Sequence, residues 1–408
     1  MNKPDGDVLR ASNNLAGTSD IQESGERKSA SKSKPKNGSY LRDKSGEQGR
    51  KRSSSSSSYR GSRRRKRSSG HSSVYAALDL GTNNCRLLVA RPTRRGFMVI
   101  DAFSRIIRLG EGVSKSGYLS ENAMTRTIEA LKVCSGKMMS RGVQRSRLIA
   151  TEACRVAANG EEFISRVQSE TGLKLDVISR ETEAKLAVSG CASLLDRNCD
   201  WALIFDIGGG SSELIWLDLS KAEQVAKGRR TLHDRVETQN SIHAWTSLPI
   251  GVVKLAEKFG GHAVCENVFE DMVEHVMGLL RKFESEHGIS KQLKGRNTHF
   301  LGTSGTVTTL AGIHLGLRSY DRNRVDGTWM DTGSVRNVTN SLVSMSYQER
   351  VAQPCIGSER ADLVLAGCAI LEALIRMWPS ERLRIADRGL REGILAVLMA
   401  EDRVHHKY

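Results

Sequence analysis

No GxxxxGK[ST] stretch occurs anywhere in the chain, which excludes a Walker-type phosphate loop. No Cys-x-x-Cys spacing occurs among the eight cysteines, at positions 85, 134, 154, 191, 199, 265, 355 and 368. Several sit in apolar contexts, so buried free thiols in a reducing compartment are expected. No apolar run approaches the roughly 20 residues that a membrane helix needs, and the first residues lack the apolar core of a secretory signal. A cytoplasmic chain with no membrane partner is the expectation. The dipeptide His233-Asp234 has no further His/Asp cluster around it, so it argues poorly for a metal site.

Large apolar residues are also nearly missing from residues 1–73, which carry 18 Lys/Arg against 7 Asp/Glu. Such a segment cannot bury enough surface to offset its ordering entropy, and it reads as a disordered basic tail. Its densest part is Arg50-Lys-Arg52, six serines (Ser53 to Ser58) and Arg63-Arg-Arg-Lys-Arg67. Without interleaved aromatics, this arm offers at most salt-sensitive, non-specific binding of nucleic acid, anionic lipid or a phosphate polymer. A solvated tail with no specific partner is the preferred reading. The remainder of the 408 residues carries 44 basic and 39 acidic side chains, so the folded part is nearly balanced.

The stretch that organises this folded part is Asp206-Ile-Gly-Gly-Gly-Ser-Ser-Glu213, set between Trp201-Ala-Leu-Ile-Phe205 and Leu214-Ile-Trp-Leu217. It reads as strand, tight glycine turn, strand. Gly208, Gly209 and Gly210 let backbone N–H groups converge on one point, and such a concave set holds an anion. Ser211 and Ser212 add hydroxyls, and an acid stands at each end. A divalent cation between those acids and a phosphate makes sense of the pattern. Asp79-Leu-Gly-Thr-Asn-Asn84, followed by Arg86, repeats the layout between Tyr75-Ala-Ala-Leu78 and Leu87-Leu-Val-Ala90. Two copies about one domain length apart suggest two related domains whose phosphate loops face each other across a cleft. Gly302-Thr-Ser-Gly-Thr306, at the start of a helix, reads equally as a third cradle or as a close helix–strand packing turn.

Between these loops, strands alternate with helices, giving α/β packing. Expected strands include Phe97–Phe103, Arg147–Ala150, Lys174–Ile178, one beginning at Ser247, and Arg382–Ala386. Expected helices include one capped by Ser120, Asn159–Thr171, Ile178–Leu195, Glu266–His287, Gly333–Met345 and Arg360–Met377, with a final helix from Gly389. Residues 218–245 read as a polar surface insertion, a loop or extended hairpin. Glu181 and Glu183 fall in the first turn of their helix, where acids favour the helix dipole. From spacing alone, stabilising the helix is all they do.

Taken together, the ordered segments resemble a known family. They are Asp79-Leu-Gly-Thr-Asn83, Ala150-Thr-Glu-Ala-Cys-Arg155 with Asn159, Ile178-Ser-Arg-Glu-Thr-Glu-Ala-Lys-Leu186, Asp206 to Glu213, Leu248-Pro-Ile-Gly251, Gly302 to Thr306, and Gly389-Leu-Arg-Glu-Gly393. In this order the chain is similar to the exopolyphosphatase and guanosine pentaphosphate phosphohydrolase (Ppx/GppA) family, within the superfamily of actin-like ATPases, sugar kinases and heat-shock proteins. The resemblance implies an α/β fold of two actin-like (ribonuclease H-like) domains flanking a cleft, at 74–186 and 187–408. Long members carry a C-terminal HD-type helical domain, for which this sequence leaves no room.

The resemblance also implies roles. Glu183 aligns with the family's catalytic glutamate, while Asp206 and Glu213 align with acids needed near Mg²⁺. Phosphates would meet Gly81, Thr82, Asn83, Asn84, Arg86, Arg155, Gly208, Gly209, Gly210, Ser211, Ser212, Gly302, Thr303, Ser304, Gly305, Thr306 and Arg360. The sequence departs from the family's pattern at Thr82, at Glu181-Thr-Glu183 and at Lys185. The implied activity is Mg²⁺-dependent release of the terminal phosphate from inorganic polyphosphate. The alternatives are guanosine pentaphosphate as substrate, an ATPase or kinase of the same fold, and a non-catalytic sensor of polyphosphate or nucleic acid. A homodimer is implied by the resemblance alone.

Overall fold

The two Asp-x-Gly hairpins of the sequence each supply the first two strands of a sheet. The computed structural model describes residues 73–405 apart from 94–95, 197 and 222–231, so the basic tail, save Ser73, lies outside the described residues. In the first sheet, β1 (Tyr75–Leu80), β2 (Asn84–Thr93) and β3 (Gly96–Ile106) run antiparallel. They are joined by β4 (Arg145–Ala150) and β5 (Asp176–Val177), parallel to β1, in the order β3-β2-β1-β4-β5. In the second sheet, β6 (Trp201–Ile207), β7 (Ser212–Asp218) and β8 (Ile242–Leu248) form the same meander. Parallel β9 (Thr298–Thr303) and β11 (Arg382–Ala386) follow, with β10 (Trp329–Asp331) antiparallel at the edge. The strand order β8-β7-β6-β9-β11 repeats that of the first sheet. This is an α/β protein with two mixed sheets, built as two actin-like domains.

Burial explains why these strands form. The inner strands β1 and β6 are buried along nearly their whole length and read as continuous apolar runs, as strands covered on both faces do. Helix Glu121–Ser140 starts where Ser120 accepts the Ala123 N–H, and it buries Ile128, Leu131 and Cys134 against the first sheet. In the second lobe, helix Val364–Met377 is buried almost throughout and packs on helix Glu266–His287. Trp216 meets Trp378 edge to face with centroids 5.7 Å apart. Each such fully buried large apolar side chain contributes about 1.5–3 kcal/mol by leaving water. All eight cysteines are free thiols, and seven are buried.

Three expectations are corrected. Residues 218–245 are not one surface insertion: Leu232–Glu237 is helical, and β8 is a third strand of the second sheet. Its pattern is only weakly alternating because it lies at the sheet edge. The strand expected at Lys174–Ile178 shrinks to two residues, and the helix expected from Arg360 begins at Val364. The last helix, Leu390–His405, falls within the range given to the second domain. It nevertheless covers the first sheet, where Leu390, Ile394, Leu395 and Met399 pack with Tyr75, Ala77, Leu88 and Ile149. On its way it crosses helix Arg180–Cys191 at backbone contact. A Cβ on Gly190 would stand 1.9 Å from the Gly389 carbonyl oxygen, and one on Gly393 would stand 1.9 Å from that of Leu186.

Candidate active site

Between the sheets lies a cleft lined by both Asp-x-Gly turns. Register places the acids. On the first hairpin Asp79 is opposite Arg86; on the second Asp206 is opposite Glu213. Directly opposed residues point to the same face of the sheet, about 5 Å apart at Cβ. The turns face each other at contact distance: a Cβ on Gly210 would stand 2.8 Å from Thr82 Oγ1 and 3.0 Å from Glu152 Cγ, so only glycine fits.

Of the residues expected to meet phosphate, Gly81, Thr82, Asn83, Asn84, Arg86, Gly208, Gly209, Gly210, Ser211, Ser304, Gly305, Thr306 and Arg360 line this one cleft, together with Glu183, Asp206 and Glu213. The side-chain oxygens of Asn83 and Asn84 and the Ser304 hydroxyl are buried without a hydrogen-bond partner. Ser304 also holds a φ of +91°, a strained backbone for a non-glycine residue. It stands at the N-terminus of helix Gly305–His314, which has no side-chain cap. Unmet N–H groups there suit an anion. The guanidiniums of Arg86 and Arg360 make no hydrogen bond or ion pair among the described residues.

Four of the expected residues stand behind the lining. Ser212 donates its hydroxyl to the Ile250 carbonyl at 2.8 Å, and Thr303 donates to that of Arg388 at 2.8 Å. Gly302 lies under the Phe205 ring, which leaves no room for a Cβ. Arg155 spends its fork on protein groups: Glu152, Glu183 (3.1 Å) and the Ile178 carbonyl (2.6 Å).

The carboxylates carry the electrostatics. Burial, followed by repulsion from Glu213, pushes Asp206 up to about 7. Burial raises Glu213, against the hydroxyls of Ser211 (2.8 Å) and Ser247 (2.9 Å), which donate to its Oε1. Burial and Glu213 raise Glu183 well above the usual carboxylate range, against the pull of Arg155. Asp79 is raised by burial and eased by Arg86 and Arg391. Two opposed, desolvated oxygen donors that repel each other fit a hard divalent cation. Among the described residues no group of three or more His, Cys, Asp or Glu could hold a metal by itself.

Sequence reasoning gave no role to Asp79, Glu152 or Arg391. Asp79 was visible in its motif. Glu152 lines the cleft and Arg391 acts electrostatically on Asp79, yet neither has a local signal that separates it from a structural helix residue.

The fold and cleft define a two-lobed α/β protein whose facing glycine loops line one acidic, anion-cradling site. The family profile of the Ppx/GppA phosphatases matches residues 88–401, and the chain belongs to that family. The crystal structure of the Aquifex aeolicus family member superposes with a TM-score of 0.63 at 28% identity, covering 81% of this chain and 98% of that one. An exopolyphosphatase from Cytophaga hutchinsonii shares the fold, with a TM-score of 0.66 at 22% identity over 80% of this chain and 98% of that one. A bifunctional 3-dehydroquinate synthase/phosphatase from Fusobacterium nucleatum is 27% identical over 308 residues, 74% of this chain and 43% of that protein. The chain thus spans less than half the length of that relative. Among the described residues no helix is long and apolar enough to cross a membrane.

Proposed function

We propose that the protein is an exopolyphosphatase, removing the terminal phosphate of inorganic polyphosphate by attack of water. The observation that supports it is convergence: three glycine loops, two opposed carboxylates and the half-buried Glu183 line one cleft. The exopolyphosphatase name carried by a relative of the same fold agrees with it.

Asp206 and Glu213 would hold Mg²⁺, which when bound neutralises charge on the phosphate oxygens. The N–H groups of the loops at 81–84, 208–211 and 304–306 grip the terminal phosphates, and the Arg86 and Arg360 forks match phosphate oxygens. Glu183 takes a proton from water as its oxygen attacks the terminal phosphorus. The bond from that phosphorus to the bridging oxygen breaks, and its electron pair leaves on the shortened chain. A base whose proton affinity is raised by burial and by Glu213 is a stronger proton acceptor for this step. Arg155 keeps the Glu183 carboxylate oriented.

Phosphate release with Mg²⁺ from long-chain polyphosphate, guanosine pentaphosphate and ATP, against a Glu183→Gln control, tests the reading. Release from polyphosphate that falls about 10²–10⁴-fold in the control supports it. Release mainly from guanosine pentaphosphate moves the substrate to that nucleotide; release mainly from ATP moves it to the ATPases. Unchanged turnover in Glu183→Gln overturns the base assignment.

A further inference from the structure

Glu152 is a buried carboxylate for which the proposed hydrolysis has no use. Its side chain is 3% exposed, yet it lines the cleft. Cations from three segments converge on it. Arg155 donates to Oε2 through Nε (3.2 Å) and Nη2 (2.9 Å). Arg180 Nη2 lies 3.1 Å from both oxygens, and Lys254 Nζ, from the second lobe, donates to Oε1 at 3.4 Å. Burial pushes the Glu152 carboxyl up, but the hydrogen bonds from Arg180 and Arg155 outweigh it and keep the group ionised. A carboxylate paired in this way acts through its partners.

Arg155 is the partner that leads to the reaction. The Nη2 that meets Glu152 also donates to Glu183 at 3.1 Å, while Nη1 holds the Ile178 carbonyl. The guanidinium is a rigid plane, so fixing one edge on Glu152 fixes the atoms that reach Glu183. We propose that Glu152 is a positioning residue: it sets the Arg155 fork, which sets Glu183, and its charge also restrains Arg180 and Lys254 beside the cleft. This rests on the reading of Glu183 as the base.

Two consequences of different kinds follow. Without the charge at 152, Arg155 loosens and turnover falls. Arg180 and Lys254, whose side chains are 41% and 24% exposed, are then released to attract substrate phosphates, so KM falls too. A residue that only stabilised the fold would lower the active fraction without tightening substrate binding.

The test is kcat and KM on polyphosphate with Mg²⁺ for the full chain, its E152Q, E183Q and E152Q/E183Q variants, with melting curves for each. In E152Q, kcat is expected to fall about 10- to 100-fold, the scale of a misplaced reacting group, with KM lowered. On the E183Q background the same change should move the residual rate by less than about twofold, because no base remains to be positioned. Should E152Q melt below the assay temperature, Arg155→Lys takes its place; it keeps the charge but loses the fork, and the same kcat loss and the same silence on E183Q are expected. A kcat within about twofold of the parent, an equal loss on both backgrounds, or in E152Q a KM that rises, overturns the proposal. Parental turnover in E183Q removes the base assignment, and this inference with it.

Discussion

The two hairpins that face each other across the cleft share a plan and differ in one charge. Each has an aspartate near the end of its first strand and a register partner across the turn, Asp79 with Arg86 and Asp206 with Glu213. A cation opposite an acid gives a locally neutral pair with a guanidinium left over for an anion. An acid opposite an acid gathers buried negative charge: burial raises the proton affinity of both, and Glu213 raises that of Asp206 further. The same backbone geometry thus makes one wall suited to phosphate oxygens and the other to a divalent cation. On the proposed reading, the repeated hairpin gives both walls one backbone plan, and one residue type divides their labour.

The contrast can be broken hardest at the charges. Glu213→Gln should lower turnover by about 10²–10³-fold, the scale of losing one preorganised electrostatic group, and raise the Mg²⁺ concentration needed for half activity. Arg86→Met should instead raise KM for polyphosphate by about tenfold or more, as loss of a charge-assisted hydrogen bond of roughly 1.5–3 kcal/mol predicts, with the Mg²⁺ requirement unchanged. Paired Mg²⁺ and substrate titrations check both; a shared phenotype would remove the distinction between the walls. Next in size is their spacing. Gly210→Ala puts a methyl against Thr82 and Glu152, and it should cost about 1–3 kcal/mol of stability by overpacking along with part of the turnover. A melting curve with unchanged midpoint would show that the loops separate freely.

The smallest effect on turnover at neutral pH concerns the second sheet alone. His299 is buried on β9, accepts the Asp196 N–H at Nε2 (3.0 Å), and is lowered to about 4 by desolvation. β4, the corresponding strand of the first sheet, carries no histidine. With the folded value below the unfolded one, the unfolded chain takes up the proton first. Stability is therefore complete above about pH 6.5 and is lost as pH falls towards 4, by up to about 3 kcal/mol in total. Denaturant melts across that range, with His299→Gln as comparison, should show the slope disappear in the variant.

How legible this was in the sequence varied with the range of the interaction. Asp79 to Asn84 and Asp206 to Glu213 announced themselves because glycine, acid and hydroxyl stand within eight residues between apolar runs. Glu183 did not; in spacing it matches any acid in a first helical turn, and only the order of family segments singled it out. Arg155 was identified as a cation near the site, but its partners, Glu152, Glu183 and the Ile178 carbonyl, decide what it does, and such fork assignments are tertiary facts. Glu152 was hidden for the same reason, since two of its cations, Arg180 and Lys254, lie far from it in sequence. Strand β8 was placed too late, at Ser247 instead of Ile242, because His243 and Thr246 are polar and the strand lies at the sheet edge, where the alternation that marks a half-buried strand is weak.

The return of the last helix to the first sheet sets a schedule for synthesis. Tyr75 on β1 donates to Asp402 on that helix, 327 residues later in sequence. At about 5–20 residues per second, roughly 15–65 s separate the emergence of the two from a ribosome. Through that interval the face made by Tyr75, Ala77, Leu88 and Ala90 lacks the cover of Leu390, Ile394, Leu395 and Met399, so the first lobe completes its core only when that helix arrives. Contacts so distant also slow folding once the chain is complete. The first lobe made is the last one finished, and the nascent chain carries an apolar face that chaperones can hold until Leu390–His405 arrives.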